Sequence, residues 1–258
     1  MNAQISHLNP TEKERSFAGR IEDLFVLARE KNRTRFSLFL DERQKRIAEA
    51  VSQGFGGVPF QFYGGFPDAE RVMLGVFSEY EEPDEALFPI VPVTFRFRRE
   101  DALSHRDVLG SLMALKIRRE TIGDILVGEG AAAVFAAESV SPLLIDAVRK
   151  IGRVGVEAEA GLPDPLPKAH RFEAREGVVS SMRLDCIVSM IAGLSRAESE
   201  RLIRASLVFR NSEPITSPSK EICPGDRISV REYGKYRIGE PGGATKKGRI
   251  HLEYQKYV

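Results

Sequence analysis

The chain has 258 residues, enough to bury a sizeable core and to hold one large domain or two to three small ones. Hydrophobic residues make up 42% and charged residues 29%, with 22 Gly and 14 Pro, a balance that excludes a disordered chain. The formal net charge of +1 averages two unlike parts, because residues 175–258 carry 15 Lys+Arg against 10 Asp+Glu while the remainder carries 23 against 27; a basic module on an acidic body suits an appendage that seeks phosphate.

The first elements in chain order are helical. Phe17, Ile21, Leu24, Phe25 and Ala28 recur at the spacing of one helix face, and Asp41 with Gln44 three residues later opens a second helix that continues through Ile47 and Val51. The period then changes. Residues 58–63 and 72–80 read as strands around the Gly64-Gly65-Phe66-Pro67-Asp68 reversal, where two glycines mark turn geometry rather than a phosphate cradle. These elements define a small α+β domain over residues 1–82, closed by an acidic, proline-bearing link.

The next stretch alternates regularly. Residues 89–98 form a strand with Val93, Phe95 and Phe97 on one face and Thr94, Arg96 and Arg98 on the other. Ser104 caps a helix through about residue 118, strands follow at 122–127 and 131–136, Ser141-Pro142 opens a helix to about Lys150, and residues 154–158 supply the last strand. The order β-α-β-β-α-β is ferredoxin-like, the pattern of RNA-recognition modules, and occupies residues 83–165. The base-stacking rings of such modules are absent where they are expected, so Arg96 and Arg98 predict backbone or protein contacts, with two solvated arginines on an open sheet as the alternative. His105 and Arg106 at one end of the first helix, with Arg118 and Arg119 at the other, form a second basic surface that either meets RNA or faces water.

Beyond a loose connection at 161–168 lies a third unit, residues 175–258. Arg183 to Ile191 reads as a helix, Gly193 as its left-handed stop, and Ser195-Arg196-Ala197-Glu198 as a capping box for a second helix bearing Arg196, Arg201 and Arg204. Strands are expected at 207–211, 228–232 and 250–254, with Lys246, Lys247 and Arg249 in a basic loop before the last. Guanidinium forks match phosphate oxygens, so Arg183, Arg196, Arg201 and Arg204 on one helix pair make a phosphate-tracking surface; a solvated face paired to Glu198 and Glu200 is the bland alternative.

Catalysis finds little support. Ser104-His105-Arg106-Asp107 is explained by helix capping, since neighbours on a helix start cannot adopt triad geometry. Arg183-Leu184-Asp185 also occurs around the catalytic aspartate of pseudouridine synthases, but an apolar helix follows it here, so Asp185 reads as ordering the helix start or pairing with a neighbouring arginine. An RNA-modifying enzyme and a protein-interaction scaffold remain the rival readings. Cys186 and Cys223 with four His lack metal spacing, so no metal or cofactor is expected and Cys186 reads as a buried thiol. No run of about 18 apolar residues and no signal-peptide core occur, which places the chain in the cytoplasm with no membrane partner.

The order Met182-Arg183-Leu184-Asp185, Leu194-Ser195-Arg196, Val208, Asn211 and Pro224-Gly225-Asp226 resembles the S-four RNA-binding domain. Together with Tyr63-Gly64-Gly65-Phe66-Pro67-Asp68, Ser104-His105-Arg106-Asp107, Ile117-Arg118-Arg119-Glu120 and Ile151-Gly152-Arg153-Val154, the whole chain is similar to the YlmH-type family of S-four-domain proteins. The resemblance implies a monomeric, non-enzymatic, ribosome-associated factor that contacts large-subunit ribosomal RNA and peptidyl-tRNA in the rescue of obstructed nascent chains. It also implies RNA-facing roles for Arg183, Ser195, Arg196, Arg201 and Arg204. Two departures stand out: Ser206 replaces the glycine usual after the second helix, which puts the turn there in question, and Arg210 replaces an apolar residue and extends the basic surface.

Overall fold

The computed structural model describes residues 5–8, 10–67, 69–168, 172–244 and 248–257. The protein is α+β and falls into two compact units, residues 1–169 and 170–258.

The first unit opens with α1 (Glu12–Lys31), whose capping box joins Thr11 and Glu14 and whose buried stripe is Phe17, Ala18, Ile21, Phe25 and Ala28. Strand β1 (Arg35–Phe36) leads to α2 (Glu42–Ser52), opened by the Asp41/Gln44 capping box that the sequence predicts, and then to β2 (Phe60–Tyr63) and β3 (Met73–Val76). The three strands form an antiparallel sheet in the order β1-β3-β2. β3 stops at Val76, short of the expected Tyr80, because the chain leaves the sheet there and Tyr80 stands in solvent. Leu74 and Val76 join α1 and α2 in one core, while Met73 and Phe77 point to the opposite face, so this short strand is buried on both sides.

The ferredoxin-like part contains β4 (Ile90–Arg96), α3 (His105–Ala114), β5 (Ile122–Val127), β6 (Ala131–Ala137), α4 (Ser141–Ala147), the small hairpin β7 (Lys150–Ile151) and β8 (Val154–Gly155), and β9 (Glu157–Ala160). Its antiparallel sheet has the order β5-β6-β4-β9. α3 ends near Ala114 instead of residue 118, where Lys116 takes a positive φ of 59°. α4 ends at Ala147 instead of Lys150 because residues 150–155 fold into a hairpin turned by Gly152 and seated on the buried Ile151; the last strand accordingly begins at Glu157.

The two faces of this sheet bury different partners. Val93, Phe95, Val134 and Ala136 meet α3 and α4. Ala133, Phe135, Ala137 and Leu126 meet Phe39, Phe66, Phe77 and Phe88 from the amino-terminal elements, with Phe66 stacked on Phe135 at 4.8 Å between centroids. The expectation of an open sheet surface is therefore corrected: the central part of the face that stacks bases in RNA-recognition modules is dry, and Thr94 on it is 1% exposed. Burying Phe135 alone contributes about 2–3 kcal/mol. Polar clamps complete the joint. Arg71 donates to the carbonyl oxygens of Phe39 (3.2 Å) and Ile122 (3.0 Å), and the Asp124 carboxylate accepts from the backbone amides of Glu70 and Arg71.

The second unit consists of β10 (Phe172–Val179), α5 (Leu184–Ala192), α6 (Arg196–Arg204), β11 (Val208–Arg210), β12 (Glu213–Pro214), β13 (Arg227–Val230), β14 (Gly234–Ala244) and β15 (Ile250–Tyr257). They build a six-stranded antiparallel sheet in the order β10-β15-β14-β13-β11-β12, with both helices against one face. β10, β12 and all of β14 lie outside the strands expected from sequence, and β15 runs three residues longer. No helix among the described residues is long and apolar enough to cross a membrane.

Candidate nucleic-acid interface

The helix pair is shaped by its terminating residues. α5 closes on Gly193 at φ 66°, a left-handed residue that lets the chain reverse within two positions. Ser195 then caps α6: its hydroxyl accepts from the Glu198 amide, and the Glu198 carboxylate accepts from the Ser195 amide at 3.0 Å. α6 ends on Ser206 at φ 58°, where the Ser206 amide bonds the Ile203 carbonyl and the Leu207 amide bonds that of Leu202, the paired closure of a Schellman turn. The serine thus takes the conformation that glycine usually supplies, and the turn is kept. Beneath the pair, Leu184, Ile187, Val188, Ile191 and Ile203 pack on Val208, Ile228, Val230 and Leu252.

One buried carboxylate organises the exposed arginines above it. Asp185, 2% exposed, receives Nε of Arg183 at 3.0 Å and Nη2 at 3.1 Å, a bidentate pair, and Nη2 of Arg196 lies 3.9 Å from Oδ2, the oxygen that also accepts from Arg183 Nη2. Burial pushes the Asp185 carboxyl upward, but the Arg183 hydrogen bonds and charge outweigh it and hold the group below its ordinary range. Arg196 also donates to Sγ of Cys186 at 2.9 Å. Burial raises that thiol, and the hydroxyls of Ser180 and Ser181 with Arg196 reverse the shift, leaving it lowered. Cys186 is buried, as expected.

The remaining arginines divide by role. Arg201 and Arg204 stand exposed on α6; Arg204 pairs with Glu200 at i,i+4 across 3.7 Å, and Glu198 is committed to the cap. Arg210 turns to the Pro224-Gly225-Asp226 bend, where Nη2 meets the buried Asp226 carboxylate at 2.7 Å, and Asp226 also accepts from Asn211 and the Cys223 amide. Arg210 therefore latches a turn, with its charge already matched. Arg249 is exposed; Lys246 and Lys247 lie outside the described residues.

In the first unit, Arg96 pairs with Glu159 across β4 and β9 at 2.5 Å, Arg98 is exposed, and Arg118 sits 3.5 Å from Glu120. Arg106 is exposed beside the Ser104 cap. Arg119 is half-buried and donates to the Ile122 carbonyl at 2.5 Å; burial first, then the neighbouring charge of Arg71, lowers its pKa to about 10. Partial desolvation, with Arg119 nearby, also lowers His105. Of the four positions, His105, Arg106 and Arg118 are exposed and Arg119 is tied into the joint around Arg71 through the shared Ile122 carbonyl. Pairing of Asp185 with a neighbouring arginine is legible in the sequence; the contact of Arg196 with Cys186 is not, because Ser180, Ser181 and the start of α6 meet that thiol only in the fold.

An antiparallel sheet carrying two short helices on one face, joined by a left-handed turn, with arginines at both helix starts, is the setting in which an S4-domain match falls. Residues 182–228 match the family model described as "S4 domain", and residues 85–161 match "Putative RNA-binding domain in YlmH". The chain is 29% identical over 245 residues to "Ribosome-associated protein quality control protein P2" of Bacillus subtilis, covering 94% of this chain and 95% of that protein. A 61-residue stretch, 23% of this chain and 30% of the other, is 38% identical to small ribosomal subunit protein uS4 of Marinobacter nauticus. Among solved structures, "Cell division protein ylmH from Streptococcus pneumoniae" superposes with a TM-score of 0.52 at 22% identity, covering 61% of this chain and 96% of that one, which shows likeness of fold. Over most of its length the chain is thus similar to YlmH-type proteins, with an RNA-binding-domain match followed by an S4-domain match.

Proposed function

We propose that this protein is a non-enzymatic, monomeric, cytoplasmic RNA-binding factor of the ribosome, contacting large-subunit ribosomal RNA and peptidyl-tRNA during rescue of obstructed nascent chains. In this reading it works in three parts: residues 1–82, the ferredoxin-like 83–165, and the RNA-gripping 175–258. The observation that carries it is the placement of Arg183, Arg196, Arg201 and Arg204 on one helix pair inside the S4 match, with Ser195 between them. The name of the Bacillus subtilis relative supports the ribosome as the setting. Against a catalytic role for Asp185, both of its carboxylate oxygens are engaged by Arg183. Arg249, and outside the described residues Lys246 and Lys247, are further RNA contacts in this proposal, Arg210 contributing through the turn it latches, and Arg96, Arg98, His105, Arg106, Arg118 and Arg119 mark the second surface.

Fluorescence anisotropy with a labelled ribosomal RNA hairpin tests the reading between about 50 and 200 mM salt. Affinity is expected to fall linearly in log–log form, and Arg204→Ala is expected to flatten the slope by roughly 0.7–0.9, the signature of one lost phosphate contact. A folded variant with an unchanged slope removes Arg204 from the interface.

A further inference from the structure

The helices cover only one face of the six-stranded sheet, because Val208, Ile228, Val230, Tyr236, Leu252 and Tyr254 point toward them. Alternate residues must point away. The strand register therefore lines up Phe209, Ser229 and Lys235 in one row across the outer face, continued by Tyr257 and Phe172. The last two rings touch edge to face at 4.8 Å, Phe172 is 40% exposed, and Nζ of Lys235 lies 4.7 Å from the Tyr257 ring centroid. The adjacent row contains Arg227 opposite the exposed Arg237. One row further on, Glu176 stands opposite Glu253, so the basic and aromatic part of the face is bounded by an acidic edge.

We propose that this outer sheet face is a second RNA surface, one that takes an unpaired, single-stranded segment. Rings at the level of a flat sheet give bases a stacking floor, and cations beside them meet the phosphates; every base offers a π-face, so the surface is tolerant of sequence. Its charge complements a polyanion, whereas the Glu176–Glu253 edge repels one and limits the segment to a few nucleotides. The helix pair on the opposite face has arginines without exposed rings in the row and suits the phosphates of structured RNA. The inference shares with the proposed function only its ligand class and does not depend on which RNA the helix pair grips.

Anisotropy titrations of the full chain with two labelled probes separate the faces: a short oligouridylate and a ribosomal RNA hairpin. Arg237→Glu and the double variant Phe172→Ala/Tyr257→Ala are each expected to weaken oligouridylate binding about tenfold while changing hairpin binding less than about twofold. Arg183→Ala/Arg196→Ala/Arg204→Ala is expected to do the reverse. Arg237 is exposed, so its replacement tests the face without touching the core. Oligouridylate binding by Arg237→Glu equal to wild type, or absent from the wild-type protein, overturns the inference. So does loss of a nuclease-resistant protein partner from the sheet-face variants with oligouridylate binding intact, which assigns the face to a protein. Loss of hairpin binding alone by the helix variant leaves the outer face standing and failure of hairpin binding by wild type strikes only the earlier reading.

Discussion

Ser206 holds a left-handed backbone at φ 58° in a position where a Cβ is unfavourable, and the turn it completes orients the last arginine-bearing turn of α6. The strain is local, so Ser206→Gly is expected to raise stability by about 0.5–1 kcal/mol, the left-handed penalty less the extra entropy of an unfolded glycine. Equilibrium urea denaturation measures it, and a destabilised variant contradicts the assignment. Asp185 works at the same scale. Removing its carboxylate by Asp185→Ala leaves two guanidiniums without their shared counter-charge, at an expected cost of about 1–3 kcal/mol, nearer the lower end because water reaches Arg183. A loss under about 0.5 kcal/mol by the same denaturation contradicts that role.

Among the elements, helices announce themselves through caps. Asp41/Gln44, Ser104 and Ser195/Glu198 each place a helix start correctly because the signal is local, a side chain reaching its own backbone three residues on. The Thr11/Glu14 box carries an added ion pair, Glu14 to Nε of Arg43 on α2 at 2.8 Å, and the Arg43 hydrogen bond leads in lowering the Glu14 pKa from 4.5 to about 2. A lowered carboxylate contributes stability in full above its unfolded value and loses it as pH falls through the folded one. Glu14→Gln is thus expected to flatten the fall in stability between pH 4.5 and about 2, followed by circular dichroism across an acid titration; a fall as steep as wild type contradicts the pair.

Strands are less legible because their signal lies in partners. β10, reading Phe-Glu-Ala-Arg-Glu-Gly-Val-Val, shows little alternation, since it reaches the core only near Val179 and its order comes from eight pairings with β15. The Gly-Glu-Pro-Gly-Gly run reads as a turn, yet β14 absorbs it as two register shifts between Ile238 and Ala244. Gly64-Gly65 was legible as a turn, but not as a contact. Gly65 sits at φ 98°, and a Cβ there would fall 2.3 Å from Phe135 Cδ1. Gly65→Ala is expected to cost about 2–4 kcal/mol by urea denaturation, and a cost below about 1 kcal/mol contradicts the close packing of this loop on the ferredoxin-like sheet.

At the scale of the molecule, two uses of sheets stand in contrast. The ferredoxin-like sheet has helices on one face and amino-terminal phenylalanines on the other, so in the proposed function the RNA contacts of this part fall to edges and helix ends such as Arg106 and Arg118. The carboxy-terminal sheet carries helices on one side only. The charge split in the sequence pointed to this half of the chain, and the arginine spacing pointed to the helix pair. Pairing of Asp185 with a neighbouring arginine was legible; what sequence could not supply is the Arg196–Cys186 contact beside Ser180, or the register that aligns Phe209, Lys235 and Tyr257, since that register joins strands distant along the chain. The central claim, that the helix pair is the grip on ribosomal RNA, is tested most directly by co-sedimentation of the purified full chain with ribosomes. The account predicts that a folded Arg183→Ala/Arg196→Ala/Arg204→Ala variant stays in the supernatant under salt at which wild type pellets; a triple variant that pellets with ribosomes as well as wild type contradicts it.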